Sequence, residues 1–92
     1  DDIKGWKRHT QMTMNILVPI GEIEFVTYNE EQKEFSSIKL SPNNYYRLTV
    51  KPGIWMAFRG IGEYNMLLNV ASMEHNPNEA INIALDEISY EW

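Results

Sequence analysis

The stretch Met14-Asn15-Ile16-Leu17-Val18-Pro19-Ile20-Gly21-Glu22-Ile23-Glu24-Phe25-Val26-Thr27-Tyr28 decides the fold. Its first half is an apolar run of strand length, closed by Pro19-Ile20-Gly21. A proline inside such a run predicts an edge strand or a strand end, because it cannot donate to a ladder. The second half begins by alternating acid with apolar side chain, Glu22-Ile23-Glu24-Phe25, the period of a strand with one wet face. Working outward, Ile3–His9 reads as a short mixed strand. Residues 29–34 form a polar loop, and Phe35–Leu40 alternates again until Ser41-Pro42-Asn43-Asn44 turns the chain. Tyr45–Val50 is aromatic and β-branched, as strands prefer. Lys51-Pro52-Gly53 turns it into Ile54–Phe58, and Gly60-Ile61-Gly62-Glu63 leads to a last strand over Tyr64–Ala71. About seven or eight short strands, punctuated roughly every 8–12 residues, predict an all-β antiparallel sandwich or barrel.

The segment after Ala71 admits two readings. Asn76-Pro77-Asn78-Glu79 has the order of a helix start, with Asn76 as N-cap, Pro77 at N1 and Glu79 at N3. An extended tail that packs Tyr90 and Trp92 against the sheets is the alternative.

Size and composition bound the rest. The chain has 92 residues and no cysteine, which excludes a disulfide scaffold and a thiolate metal site. Residues 1–92 are expected to form one domain, burying about two-thirds of the unfolded surface. No run approaches the ~20 apolar residues of a membrane span. No secretory signal opens the chain, so a cytoplasmic protein is expected. The chain begins at Asp1 and not at Met, from which a missing N-terminal segment is expected. Eight Lys and Arg stand against thirteen Asp and Glu, a net charge of −5, which argues against nucleic acid as a partner. The charge is uneven: residues 60–92 carry six acids and no Lys or Arg, whereas Lys4, Lys7, Arg8 and His9 gather near the start. A site for an anionic small molecule is expected at that end.

Two spacings carry a resemblance. In Lys7-Arg8-His9, then Met14, then Gly21, the residues fall without a gap on the first metal-binding motif of the cupins (His-x-His, a Glu, then a Gly). Pro52-Gly53 followed by Met56 falls on the second. The chain therefore resembles a cupin jelly roll, and the four positions that hold the metal in that family are Lys7, His9, Met14 and Met56. An ammonium repels a cation and thioethers suit the harder divalent metals poorly, so no metal and no cofactor is expected. The four side chains are expected to converge on the interior.

A nearer resemblance rests on Gly5-Trp6-Lys7-Arg8-His9, Met12-Thr13-Met14-Asn15, Asn44-Tyr45, Arg47 to Trp55, and Ile88-Ser89-Tyr90-Glu91-Trp92. These are similar to the metal-free cupins related to dTDP-4-dehydrorhamnose 3,5-epimerase, whose members are usually longer at the N-terminus. The resemblance implies a homodimeric, antiparallel, all-β jelly roll acting on a nucleotide-linked 4-keto deoxysugar in surface-polysaccharide (lipopolysaccharide) synthesis. It implies a His base at the position of Lys7, an enolate-stabilising Lys at Met14, and tyrosines at Glu74 and His75. All of these differ in type here.

The candidate catalytic residues are Lys7, His9 and Tyr64, and the candidate substrate-binding residues are Asn69, Arg47, Arg59 and His75. Lys7 and His9 share a strand face. Either Lys7 lines the pocket as a base or its ammonium reaches to the rim. Tyr64 and Asn69 supply an acid and an amide, or are barrel lining. Arg47 and Arg59 hold a diphosphate bidentately, or balance acidic neighbours. Trp6 and Trp55 are expected to face outward on the sheet side away from the pocket, as packing or dimer-interface anchors, and the dimer built on them is the assembly expected. Met12, Met14, Met56 and Met66 are expected to fill the interior. The two functions that follow are a metal-independent sugar-nucleotide epimerase or isomerase, and a non-catalytic sugar-binding or structural cupin.

Overall fold

In a computed structural model, which describes residues 3–74 and 76–92, the chain is almost entirely antiparallel strand. The strands are β1 (Ile3–His9), β2 (Met14–Ile20), β3 (Ile23–Asn29), β4 (Glu34–Leu40), β5 (Leu48–Val50), β6 (Trp55–Gly60), β7 (Met66–Asn69) and β8 (Ala80–Asn82). They form a five-stranded sheet, β4-β3-β6-β1-β8, facing a three-stranded sheet, β5-β2-β7. This is the expected jelly roll. No helix among the described residues is long and apolar enough to cross a membrane.

The pattern of β2 explains its place. Met14, Ile16 and Val18 are buried and the residues between them are half-buried, so one face of the small sheet looks inward. β2 is the central strand of its sheet, not an edge. Pro19 is tolerated because the pairing with β7 is irregular between Leu17 and Ile20, where a missing N–H breaks no regular rung. Gly21, at φ +83°, makes the following turn. The Asn65 amide locks that turn, accepting from the Glu22 N–H at 2.9 Å and donating to the Gly62 carbonyl at 2.9 Å.

In β3 and β6 the burial is continuous where strict alternation would leave gaps: Phe25-Val26 and Trp55-Met56-Ala57 are all buried. Over β3 and β6 the large sheet is covered on both faces. Phe25 and Met56 join Met14, Ile16, Val18, Leu40 and Val50 between the sheets. Val26, Trp55 and Ala57 join Trp6 on the other face, beneath the C-terminal segment. That segment satisfies both sequence readings in turn. Asn76 caps a single turn of 3-10 helix, its side chain accepting from the Asn78 N–H at 3.0 Å. β8 then pairs with β1, and Tyr90 and Trp92 pack over Trp6.

Three expectations need correction. Trp6 and Trp55 lie on the face away from the inter-sheet core, as expected, but they are 0% and 5% exposed. The tail covers them, and the Trp6 indole N–H donates to the Leu85 carbonyl at 3.2 Å. Exposed indoles therefore give no reason for a dimer. Met66 is 45% exposed, because Leu67 takes the inward position on β7. The predicted strands over 45–50 and 64–71 shrink to Leu48–Val50 and Met66–Asn69, leaving Tyr45, Tyr46 and Tyr64 in exposed connections.

Candidate functional site

The five-stranded sheet is wider than the three-stranded one, and beyond β7 its inner face has no cover. There, between β1, β6, β7 and the 76–82 segment, lies a cavity of about 650 Å³. Two smaller concavities, of about 440 and 430 Å³, lie on the tail and beside the β5–β6 turn, and among the described residues no histidine lines either. Lys7, His9, Met14 and Met56 all line the large cavity, as the motif spacing predicts.

The face rule explains part of this lining and a bulge explains the rest. Lys7 pairs opposite Met56 and Arg8 opposite Trp55, so Lys7 faces the cavity while Arg8 turns to the tail side. The Arg8 guanidinium sits 4.6 Å from the centre of the Trp55 ring. By strict alternation Lys4 would share a face with Trp6. The β1–β6 register shifts between Lys4 and Lys7, however, and Lys4 stands opposite Phe58, on the cavity side. Both lysines are thus presented to one space, and among the described residues neither makes an ion pair.

Glu79 organises the opposite wall. It is 4% exposed, and one carboxylate oxygen is bonded to His9 Nδ1. The other accepts from the backbone N–H groups of Thr10, Gln11 and Met12, each at 3.1 Å. Burial alone would raise this carboxyl. The bond to His9 and the N–H groups of Gln11 and Met12 outweigh it and hold Glu79 at about 2, well below the ordinary carboxylate range. Glu79 is therefore ionised at neutral pH. A carboxylate can only accept, so Nδ1 carries the proton and Nε2 is the ring nitrogen left for the cavity. A cavity with an oriented imidazole, two unpaired lysines and three thioethers (Met12, Met14, Met56) suits an anionic ligand whose reacting part is weakly polar. Among the described residues, no three His, Cys, Asp or Glu side chains gather as a metal centre would require.

The other candidates are scattered. Asn69 lines the cavity, its side-chain oxygen accepting from the Asn15 N–H at 3.2 Å. Tyr64 is 82% exposed in the turn before β7 and does not line the cavity. Arg59 is turned away from it, bound to Glu24 at 2.8 Å and lying 5.7 Å from the centre of the Trp92 ring. Arg47 is exposed in the connection before β5, so the two arginines do not meet over the cavity. His75 lies outside the described residues. Sequence reasoning placed Lys4 only in the basic group near the start, where it expected an anion site, and missed the roles of Glu79, Asn76 and Asn82; all four line the cavity. Gly5 hints at a bulge. Glu79 carried only a capping signal, and nothing local points to a partner seventy residues upstream.

No family model and no curated protein matches the chain. Solved structures do. A dTDP sugar isomerase from Desulfovibrio desulfuricans G20 superposes with a TM-score of 0.84 at 30% identity, over 92% of this chain and 59% of that one. A variant of the 3,4-ketoisomerase QdtA from Thermoanaerobacterium thermosaccharolyticum, solved with TDP-4-keto-6-deoxyglucose, gives 0.77 at 20% identity, over 88% and 56%. The capsular polysaccharide assembling protein CapF from Staphylococcus aureus gives 0.76 at 16% identity, over 87% and 22%, a likeness of fold alone. The chain thus spans less than two-thirds of each. Its fold is the cupin-type jelly roll of these structures, and at 30% identity it is similar to a dTDP sugar isomerase.

Proposed function

We propose that the chain binds a nucleotide-linked 4-keto deoxysugar in the large cavity and moves a proton on the carbon beside the keto group. This is the chemistry of a metal-independent epimerase or isomerase of the dTDP-4-dehydrorhamnose 3,5-epimerase kind. The observation that carries the proposal is the His9–Glu79 pair on the cavity wall. A C–H next to a carbonyl yields its proton only to a base held beside it. An imidazole whose Nδ1 is fixed by a buried carboxylate presents Nε2 in one orientation for that task. Lys4 and Lys7 supply positive charge for the diphosphate and for charge that develops at the keto oxygen. The ligand and activity named for the QdtA and Desulfovibrio structures support the choice of substrate class. The reading carries with it a cytoplasmic homodimer serving surface-polysaccharide synthesis.

Proton NMR of dTDP-4-keto-6-deoxyglucose in deuterium oxide tests the proposal. The chain should wash deuterium into the carbon beside the keto group, and His9→Asn should slow that exchange at least a hundredfold. Saturable binding without exchange would make the chain a non-catalytic sugar-binding cupin. No binding at all would reject the substrate class.

A further inference from the structure

We propose that Asn82 is a catalytic residue of this site: its side-chain amide donates, alongside the Lys7 ammonium, to the keto oxygen while His9 removes the neighbouring proton. The inference rests on the reading of the cavity as a 4-keto sugar site. Breaking a C–H bond beside a ketone sends the electron pair to the carbonyl oxygen, and protein sites meet that charge with hydrogen-bond donors held ready for it. The backbone N–H groups nearest His9, those of Thr10, Gln11 and Met12, all donate to Glu79. The lining side chains that offer N–H groups to a ligand are Lys4, Lys7, Asn69, Asn76 and Asn82.

Strand register selects Asn82 among them. β8 pairs with β1 so that Asn82 stands directly opposite Lys7, and Ala80 opposite His9. Side chains so placed share a face, with Cβ atoms about 4.5–5.5 Å apart in a direct pair and about 7–8 Å apart on the diagonal. Asn82 is thus the cross-strand neighbour of Lys7 and the diagonal neighbour of His9, and one sugar ring can touch all three. The small Ala80 side chain leaves room for that ring beside His9. The side-chain oxygens of Asn69 and Asn76 already accept from the N–H groups of Asn15 and Asn78. Among the described residues the Asn82 amide makes no hydrogen bond, so it is free to turn its NH2 to a ligand. Lys7 alone suits the task poorly, because its ammonium is exposed, strongly hydrated and carried on a flexible stem. Asn82 holds its donors on a short side chain rooted in a paired strand, and so fixes the direction that Lys7 leaves loose. Lys4, across the bulge and opposite Phe58, is left for the diphosphate.

The step balances without any further reactant. His9 Nε2 takes the proton from the carbon beside the keto group. The C–H pair becomes the C=C bond of an enolate, and the C=O pair moves onto the oxygen. That oxygen has lone pairs for both donors, the Lys7 ammonium and one Asn82 N–H. Return of a proton to carbon restores the ketone and releases both donors.

Deuterium exchange tests this, with the intact chain and a range of dTDP-4-keto-6-deoxyglucose concentrations read by proton NMR, and binding measured in parallel by calorimetry. Asn82→Ala should lower kcat about 100-fold with KM changed less than about threefold, the mark of a contact made only in the transition state. Asn82→Gln keeps the amide and should recover part of the loss. Asn82→Asp sets a carboxylate beside Lys7 and should be slower than Asn82→Ala. Asn82 is exposed, so all three variants should keep the Tm of the unsubstituted chain. An unchanged kcat in Asn82→Ala, a loss carried wholly by KM, or a loss that follows Tm would overturn the role of Asn82 and leave the sugar site standing. Binding without exchange in the unsubstituted chain would overturn the catalytic role and leave a binding site. Absence of calorimetric binding would overturn the sugar site itself, and the role of Asn82 with it.

Discussion

Replacing Trp6 tests whether the tail is part of the folded unit. Trp6 is fully buried, packs with Val26, Trp55 and Ala57, and is overlaid by Trp92, with ring centres 6.5 Å apart. Truncating a buried Trp to Ala removes its transfer free energy and leaves a cavity, together about 3–5 kcal/mol. The lost N–H bond to Leu85 adds about 1 kcal/mol. A domain of this length has a total stability of about 5–14 kcal/mol, so Trp6→Ala should remove a third of it or more. The expected fall in Tm is on the order of 20 °C. Trp6→Phe keeps most of the ring volume and should lose only about 1–2 kcal/mol. The assay is guanidinium unfolding followed by far-ultraviolet circular dichroism at two protein concentrations. If Trp6 sat in a subunit interface, the variants would yield folded monomers and midpoints that depend on concentration. The structure requires losses that are independent of concentration. A Trp6→Ala chain within about 1 kcal/mol of the unsubstituted one would refute the packing argument.

Further outcomes follow from the same geometry. Glu79 titrates at about 2 when folded against an ordinary 4.5, so the unfolded chain takes up its proton first. Its contribution to stability is complete above pH 4.5 and is lost as pH falls toward 2; Glu79→Gln should flatten that part of the acid limb in a series of denaturant midpoints, and an unchanged limb would contradict the assignment. Gly21→Ala should be far more damaging than Gly53→Ala. Both glycines have positive φ, but a Cβ at Gly21 would lie 2.1 Å from the Tyr64 carbonyl whereas one at Gly53 meets nothing within 4 Å. The first should lower stability by more than about 2 kcal/mol and the second by about 1, and equal losses in thermal unfolding would exclude the clash. Elemental analysis of the purified, tag-free chain should find no stoichiometric Fe, Mn, Ni or Zn; about one equivalent of any of them would overturn the reading of Lys7, His9, Met14 and Met56.

The strands were legible because their signals are local. The Met14–Ile20 run, the Glu22–Phe25 alternation and the Gly21 and Gly53 turns each depend on neighbours a few residues away. The two-sided burial of the large sheet was harder to see, since Val26 and Ala57 look like breaks in alternation until the tail is known to cover them. That same cover reversed the expectation for Trp6 and Trp55. In the site, Lys7 and His9 follow from the face rule, but Lys4 does not, because one bulge exchanges its face. Glu79 was read only through the helix turn it belongs to. Its burial depends on a side chain and three backbone N–H groups at the other end of the chain, and no periodicity records such a meeting.

β1 has both of its hydrogen-bonded neighbours far downstream, in β6 and β8. During synthesis at roughly 5–20 residues per second, it therefore waits roughly 4–15 s for its last partner to be made. The β3–β4 hairpin closes long before then. Pairing of such distant segments is slow, and loop-closure entropy places it late. Lys7 and His9 are made some seventy residues before the partner that completes them, since only the arrival of Glu79 and β8 makes them a site. A ribosome stalled before residue 79 holds a chain with most of its strands made and no cavity chemistry at all, so the appearance of ligand binding along a series of stalled chains would time the closing of the fold.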